Sequence, residues 1–338
     1  MNKDTLYTQY GISAMTETNQ GPLKIFRDGI HSYISVETEE EELNLQERYH
    51  MAVHLRGKGE KGILIPVPNK QQGLKTEVNG KHFILFIKEA GGQVPGELGR
   101  NLAIFHYRGR SIPQRIEHCS RIGKWKDMWE QRINQLEKVW REKLTATPQN
   151  EFEKMFIDAF PYFSGLTDNA IQYLVDTELD DNPEMVDGGT VCYTRFTHHT
   201  WGKGGVEKNP LDWVFDHAGR DIAEWVRAYY LEHPTMFHEG IRHFFRQYQS
   251  VTPLTSFSLR MVYSRLLLPV QFFETIEMYY VSMLESQRTT LEDNLAQMIK
   301  QANVYEGLLF DFYELAGIPK GNQKLPLPAW IKSQPLIR

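Results

Sequence analysis

The chain lacks the features that would place it in several large classes of protein. It has two cysteines, Cys119 and Cys192, far apart in the sequence, which predicts neither a disulfide framework nor a cysteine-based metal site. Its longest apolar runs, such as residues 266–270, are too short to cross a bilayer. Residues 1–18 contain no apolar segment typical of a signal peptide, so we expect none. The net charge is only -5, which argues against a nucleic-acid partner.

The composition is that of a compact globular protein. Of the 338 residues, 41% are hydrophobic and 24% are charged, and both fractions are ordinary for a folded domain. A chain of this length can bury a sizeable core and form two lobes.

Residues 1–95 are predicted to form a strand-rich N-terminal lobe. Short apolar–polar alternations predict strands, and an apolar stripe on a charged background predicts one helix. The predicted strands cover residues 22–26, 32–37, 63–67 and 82–87, and the helix covers residues 40–55. The last strand follows Asn79-Gly80, a strong signal for a hairpin turn. We expect a hinge at Gly91-Gly92.

Residues 96–318 are predicted to form a larger, mainly helical lobe. In the clearest helix, residues 124–144, large apolar residues recur at steps of three and four. They are Trp125, Trp129, Ile133, Leu136, Trp140 and Leu144. Further helices are predicted at residues 99–105, 170–179, 221–231, 238–248, 256–267, 272–285 and 291–301. Residues 319–338 carry four prolines and are predicted to be a surface tail.

Three short patterns look like functional motifs but have the wrong context. Residues 57–62 match GxGxxG, yet they follow a helix and precede a strand, so we interpret them as a flexible basic turn. His238 and His243 are five residues apart, which places them on different faces of a helix and excludes a shared metal. Residues 202–205 are rich in glycine but lack the spacing of a phosphate-binding loop.

The adjacent residues His198 and His199 raise the question of a metal site. Asp212, Asp216 and His217 lie nearby in the sequence and would supply further ligands. Neighbouring histidines in a loop are more often solvated or hydrogen-bonded, and we interpret this pair in that way.

One stretch has the outline of a phosphotransferase site. Residues 191–200 run Val-Cys-Tyr-Thr-Arg-Phe-Thr-His-His-Thr, and Leu211-Asp212-Trp213 follow. The stretch resembles aminoglycoside-phosphotransferase-like kinases, in which a buried strand enters a loop His-Gly-Asp-Phe-His-x-x-Asn and a second strand ends in Ile-Asp-Trp or Ile-Asp-Phe. The residues at the His, Gly, Asp, Asn and metal-binding Asp positions are, in that order, Tyr193, Thr194, Arg195, Thr200 and Asp212.

Further segments extend this resemblance over most of the chain. They are Leu98–His106, residues 221–223, 248–254 and 268–273, and the pair Tyr279-Tyr280. On these residues, the sequence is similar to the spore coat-associated kinase-like proteins of endospore-forming bacilli, the CotS group, and in particular to its YutH branch. The resemblance implies an α+β, bilobal protein-kinase-like fold with a small antiparallel β N-lobe containing one helix and a larger α-helical C-lobe. It also implies synthesis in the mother-cell cytoplasm, a place in the endospore coat and other coat proteins as partners.

The phosphate- and metal-handling positions of such kinases are largely changed here. The resembled kinases carry a Lys on the third N-lobe strand, but residues 33–37 contain none, and the nearest one, Lys24, lies on the preceding strand. The Gly-rich loop is missing as well. Arg195 is a permanent cation that accepts no proton, and Thr200 replaces a metal ligand. Asp212 alone is retained, so we expect no cofactor and no metal unless Asp212 binds one.

These departures predict a pseudokinase that serves as a structural or assembly protein of the coat and is not an enzyme. We expect no catalytic residue and no small-molecule substrate, and we expect Arg195 to neutralise Asp212. Two alternatives remain open. One is an active phosphotransferase with relocated residues, such as Asp216 and Lys24. The other is a nucleotide-binding regulator that does not transfer phosphate.

Overall fold

The computed structural model describes residues 1–21, 23–88, 96–201, 207–319 and 324–331. The chain divides into two units, each assembled from separated stretches of sequence. The first contains residues 1–122, 188–221 and 247–253, and the second contains residues 123–187, 222–246 and 254–338. The expected hinge at Gly91-Gly92 lies outside the described residues, so the lobe boundary near residue 95 stays a prediction.

A six-stranded antiparallel sheet forms the N-terminal part of the first unit. Its strands are β1 (Thr16–Gln20), β2 (Leu23–Arg27), β3 (Ser32–Glu37), β4 (Leu64–Pro66), β5 (Lys75–Val78) and β6 (Lys81–Lys88). The hydrogen-bonded order is β1-β2-β3-β6-β4, and β5 also pairs with β6. The predicted hairpin joins β5 to β6 through Asn79 and Gly80, whose φ angles are 55° and 75°. The sequence did not predict β1 and β5, because their mainly polar residues show no apolar alternation.

Both faces of this sheet are covered. Helix α2 (Glu42–Gly57) contributes Leu45 to a cluster on one face, together with Ile34, Leu64, Leu74, Ile84 and Phe86. Helix α1 (Lys3–Tyr10), which was not predicted, contributes Leu6 to a cluster on the other face, together with Met1, Phe26, Tyr33 and Leu85. Successive side chains of a strand point to opposite faces, so β6 needs a continuous apolar run to fill both clusters.

The turn at residues 57–62 is anchored by its acidic residue. The Glu60 side chain is 8% exposed and pairs with Arg108 and Lys208. The Lys208 ammonium also lies 4.8 Å from the centre of the Trp201 ring. The segment is therefore a turn, as predicted, but a buried ion-pair cluster fixes it to helix α3 (Leu98–Arg110).

The first unit also contains a two-stranded antiparallel ribbon and the start of a helix. The ribbon consists of β7 (Thr190–Tyr193) and β8 (Trp213–Asp216), and helix α6 (Gly219–Glu232) follows it. The unit boundary falls within α6, after Asp221.

The second unit is helical. Besides most of α6, it contains α4 (Trp125–Thr145), α5 (Glu151–Asp180), most of α7 (Phe237–Gln249), α8 (Ser256–Leu267), α9 (Val270–Val281) and α10 (Glu285–Leu315). Helix α5 is much longer than the predicted 170–179, because Pro161 and Gly165, two residue types that usually interrupt a helix, lie inside it. Among the described helices, none is long and apolar enough to span a membrane.

The apolar stripe predicted for α4 is largely confirmed. Trp125, Trp129, Ile133 and Leu136 are buried. Leu144 is 53% exposed, so its assignment to the stripe is wrong. It lies in the last turn of the helix, beyond the buried stretch.

Gly109 marks a close approach of α3 to β7 and provides a test of this packing. A Cβ at Gly109 would clash with the hydroxyl of Thr190 and lie 2.8 Å from the backbone nitrogen of Val191. We expect Gly109→Ala to lower the free energy of unfolding by about 1–3 kcal/mol, the usual cost of overpacking. Denaturant titration measures this difference.

Gly165→Ala in α5 is the matched control. A Cβ there meets nothing within 4 Å, so the substitution is expected to be neutral or to stabilise the helix by up to about 1 kcal/mol. Equal effects of the two substitutions would contradict the close packing of α3 on β7.

Candidate functional site

The ribbon of β7 and β8 brings together the two segments that resemble kinase loops. Tyr193 pairs with Trp213 across the ribbon. The N–H of Thr194 donates to the carbonyl of Asp212 at 2.6 Å. The loop that follows β7 and the turn that precedes β8 therefore lie side by side, as the resemblance requires.

Asp212 stands just before β8 and not at the end of a strand. Pro210 has a fixed φ, and the Asn209 side chain accepts a hydrogen bond from the N–H of Leu211 at 3.1 Å. Residues 210–212 consequently form a short 3-10 turn, and β8 begins at Trp213. The strand therefore begins after Asp212, whereas in the resembled kinases a strand ends in the matching Ile-Asp-Trp or Ile-Asp-Phe.

A buried cation, Arg48 of α2, acts on Asp212. The Nε of Arg48 donates to the carbonyl of Trp213 at 3.3 Å, and its Nη1 lies 2.9 Å from Oε1 of Glu40. Desolvation raises the pKa of Asp212 and the charge of Arg48 lowers it, with a net result above the ordinary value. The side chain of the expected partner, Arg195, is exposed, and its pairing with Asp212 stays a prediction.

The sheet face next to Asp212 carries apolar side chains. Leu211, the neighbour of Asp212, packs against the buried cluster that contains Ile34 of β3, as do the partly buried Val36 of β3 and Ile25 of β2. In the resembled kinases a Lys of the third strand holds the phosphates, and β3 contains none. This face has the chemistry of a hydrophobic contact and not of a phosphate clamp.

Lys24 and Asp216, which a relocated kinase site would use, are engaged in other contacts. The ammonium of Lys24 donates to the carbonyl of Met1 at 2.9 Å and pairs with Glu17 at 3.2 Å. Asp216 is 1% exposed, and its Oδ2 accepts a hydrogen bond from Nε of Arg220 at 2.6 Å. A buried carboxylate held by a guanidinium is poorly placed to deprotonate a substrate.

A buried polar network supports β7. Asp221 is completely buried, and its two carboxylate oxygens lie 3.0 and 3.1 Å from the N–H of Tyr193. His106 of α3 lies 3.1 Å from Asp221 through Nε2 and 2.9 Å from the hydroxyl of Tyr248 through Nδ1. Burial, assisted by nearby positive charges, holds the pKa of His106 well below 6.5. Neutral His106 therefore donates from Nε2 to Asp221 and accepts from Tyr248.

Aromatic rings and local hydrogen bonds occupy the positions of the kinase loop. The buried rings are those of Phe105, Tyr193, Phe196, Trp201 and Trp213. Nε1 of Trp201 donates to the hydroxyl of Tyr193 at 2.9 Å, so the residue at the His position is tied into this cluster. The hydroxyl of Thr200, at the Asn position, accepts from the N–H of Thr197 at 2.8 Å and closes the loop on itself.

At the positions that match the kinase loop, the described residues keep one carboxylate, that of Asp212. Magnesium is usually held by one or two carboxylates together with the phosphates. Arg48 places a positive charge close to that carboxylate. The matching loop position is Thr200, whose hydroxyl is used within the loop.

A second cluster has the composition of a metal site but is already saturated. Ligand atoms of His106, Cys192 and Asp221 lie within 4.8 Å of one another. Both nitrogens of His106 and both oxygens of Asp221 are hydrogen-bonded. Burial raises the pKa of the Cys192 thiol well above its ordinary value, so it is not a thiolate. We interpret this cluster as structural.

The metal ligands considered for His198 and His199 are also engaged. Asp216 pairs with Arg220, and Nδ1 of His217 accepts a hydrogen bond from the N–H of Gly219 at 3.0 Å. These contacts remove two of the three residues that would complete such a site.

Sequence reasoning missed Arg48, His106 and Asp221. His106 and Asp221 fall in the segments that carried the family resemblance, so the pattern marked their positions without giving them a role. Arg48 lies in a helix rich in charged residues, and no local signal separates it from its neighbours.

Because Arg48 contacts β8, we expect its substitution to destabilise the protein more than substitution of Arg195. Arg48→Met removes a hydrogen bond to the carbonyl of Trp213 and an ion pair with the half-buried Glu40. We expect it to lower the free energy of unfolding by about 1.5–3 kcal/mol. The control, Arg195→Met, changes an exposed side chain and should cost at most about 1 kcal/mol. Urea unfolding that ranks the two variants in the opposite order would favour the Arg195–Asp212 pair.

Buried, neutral His106 predicts that stability falls at acidic pH. Its pKa lies well below 6.5 when folded and returns to about 6.5 when unfolded. Below pH 6.5 the unfolded chain therefore binds more protons, and up to about 1.4 kcal/mol is lost per pH unit. We expect His106→Gln to remove this contribution to the slope of the unfolding free energy against pH.

His50→Gln on α2 is the control, because His50 is exposed to solvent. His50→Gln should leave the slope of the unfolding free energy against pH the same as in the wild-type chain. A slope that His106→Gln fails to reduce would show that the folded chain tolerates a protonated His106.

Comparison with known proteins gives the family. The model described as "Spore coat putative kinase YutH" matches residues 3–312. The chain is 37% identical over 335 residues to the endospore coat-associated protein YutH of Bacillus subtilis (strain 168), with 98% of each chain covered. These two matches cover almost the whole chain, well beyond the loop segments discussed above.

Solved structures with similar folds are kinases. An aminoglycoside phosphotransferase from Alicyclobacillus acidocaldarius has a TM-score of 0.65 at 13% identity, covering 94% of this chain and 97% of that one. A microcompartment-associated aminopropanol kinase has a TM-score of 0.60 at 13% identity, covering 93% and 98%. The expected α+β kinase-like fold is thus confirmed, with an antiparallel N-terminal sheet and a mainly helical C-terminal part. The chain belongs to the YutH family of spore coat kinase-like proteins.

Proposed function

We propose that this protein is a component of the endospore coat that acts in assembly and does not transfer phosphate. Its relative in Bacillus subtilis is named as an endospore coat-associated protein, which supports the location. In this proposal the chain is made in the mother-cell cytoplasm and docks other coat proteins. The kinase-like fold then serves as a scaffold.

The observation that carries this proposal is the buried Arg48 beside the one retained carboxylate, Asp212. Burial of Asp212 outweighs the charge of Arg48 and raises the pKa of the carboxyl, so the ionised form that would bind a metal is disfavoured. The positive charge of Arg48 also repels a divalent cation at this carboxylate.

The other parts of a phosphotransferase site are replaced by groups that cannot do its chemistry. Arg195 stands at the position of the base, and β3 contains no Lys. Loss of one such electrostatic contributor typically costs a factor of 10²–10³ in rate. The losses are not additive, but several together leave little activity above background.

We expect magnesium and ATP to have no effect on the purified chain. A ligand at 100 times its dissociation constant adds about 2.7 kcal/mol to stability, a clear shift in a thermal melt. The melting temperature with millimolar Mg–ATP should equal that with magnesium alone. Incubation with labelled ATP and extracted coat material should leave no label on protein, polymer or small molecules.

Asp212→Ala is the control variant for both parts of this proposal, the absence of phosphate transfer and the role in coat assembly. A magnesium-dependent thermal shift that Asp212→Ala abolishes would instead identify a nucleotide-binding regulator, and transfer of label would identify an active kinase. For assembly, a fluorescent fusion carrying Asp212→Ala should reach the coat of developing spores as the unchanged fusion does. A coat location that depends on Asp212 would contradict a purely structural role.

A further inference from the structure

The second unit contains a cavity that the proposed function does not use. It lies where α5, α6, α9 and α10 meet, and the centre of a water-sized sphere can occupy about 60 Å³ of it. One ordered water needs about 10–15 Å³ measured in this way, so the space is several times larger than a single water site.

Aromatic rings fixed by their own contacts form the walls of this cavity. Phe163 stacks on Phe272 with ring centres 4.1 Å apart, and Tyr230 meets Tyr305 edge to face at 5.3 Å. The hydroxyl of Tyr305 donates to the carbonyl of Leu266 at 2.7 Å. Because these rings are already held in place, a ligand would not have to order them on binding.

The lining is uncharged. It contains no Asp, Glu, Lys, Arg or His among the described residues. Burial raises the pKa of its three tyrosines, Tyr162, Tyr230 and Tyr305, so they are neutral at physiological pH. Behind the lining, Glu306 accepts a hydrogen bond from the hydroxyl of Tyr162 at 2.7 Å, and Arg227, which contacts Tyr305, is paired with Glu224. A charged ligand would therefore lose its hydration and find these counter-ions already engaged. Phosphates, carboxylates and amines are therefore disfavoured.

A few polar groups in the lining have hydrogen-bonding capacity. Gln271 and Gln301 contribute amides. The hydroxyl of Tyr230 is buried and has no hydrogen-bond partner in the parts of the chain that the structure describes. An unpaired buried hydroxyl costs about 1–3 kcal/mol, part of which a ligand with a matching polar group would recover.

We propose that this cavity binds a small uncharged molecule with an aromatic or other apolar body and one hydroxyl or carbonyl group. The proposal does not depend on the proposed function, because the lining residues belong to the second unit and the degenerate kinase site belongs to the first. The cavity proposal and the proposed function can therefore be tested and rejected independently.

Four probes of nearly equal size test the chemistry of the site: toluene, benzyl alcohol, benzylamine and benzoate. Their binding to the full chain at neutral pH is measured by titration calorimetry and ligand-observed NMR. We expect benzyl alcohol to bind most tightly and toluene about fivefold more weakly, the worth of one hydrogen bond. The two charged probes should bind at least about tenfold more weakly than benzyl alcohol. Charged probes that bind as tightly as benzyl alcohol, or no binding by any probe, would overturn the proposal.

Matched variants locate the binding. Ala302 lines the cavity in α10, and Ala296 is exposed on the same helix. Ala302→Phe should fill the cavity and abolish the binding of benzyl alcohol, whereas Ala296→Phe should leave it unchanged. Tyr230→Phe should remove the preference for benzyl alcohol over toluene while toluene still binds. If circular dichroism shows that Ala302→Phe does not fold, Tyr230→Phe and the probe series decide the result. Binding that survives in folded Ala302→Phe, or a preference that survives in Tyr230→Phe, would overturn the assignment.

Discussion

The buried carboxylate of Asp221 is the constraint on which the arrangement of the first unit depends. It accepts hydrogen bonds from the last backbone N–H of β7, at Tyr193, and from His106 of α3. Hydrogen bonds to a charged group are worth about 1.5–3 kcal/mol each, and an uncompensated buried charge costs more than that. The strand, the helix and the start of α6 therefore have one low-energy arrangement. The loop after β7 and the turn before β8 take their positions from it.

This arrangement keeps the geometry of a kinase-like site while its electrostatics are changed. Phosphoryl transfer needs cations that contact the phosphates and carboxylates that hold the metal ions. Here the sheet face is apolar, a buried guanidinium of Arg48 stands near Asp212, and aromatic rings surround Tyr193. The fold tolerates these changes because apolar and aromatic burial provides most of its stability and the catalytic charges provide little.

The two sites of the chain differ in the ligands that they can accept. The kinase-like site combines an apolar sheet face and aromatic rings with the carboxylate of Asp212 and the charge of Arg48. The cavity of the second unit is uncharged and walled by aromatic rings, so it suits a small neutral molecule.

Elements with a strong local pattern were predictable from the sequence. The stripe of Trp125 and Trp129 follows helical periodicity, and Asn79-Gly80 allows the positive φ angles of a tight hairpin. Elements without such a pattern were missed. Strand β1 has no apolar residue, so only its pairing with β2 makes it a strand. The length of α5 was hidden by Pro161, which the surrounding helices tolerate.

The sequence by itself determined the family, the kinase-like fold and the changed residues at the loop, because motif spacing and residue chemistry are local properties. It predicted that Tyr193, Arg195, Thr200 and Asp212 occupy matching loop positions, and the pairing of β7 with β8 brings those segments together. Tertiary structure alone brought the charge of Arg48 to act on Asp212. Arg48 and the carbonyl that it binds, that of Trp213, are 165 residues apart, and only the packing of α2 brings them into contact. Electrostatic energy depends on distance and burial in the folded chain, and neither quantity is encoded in a short pattern.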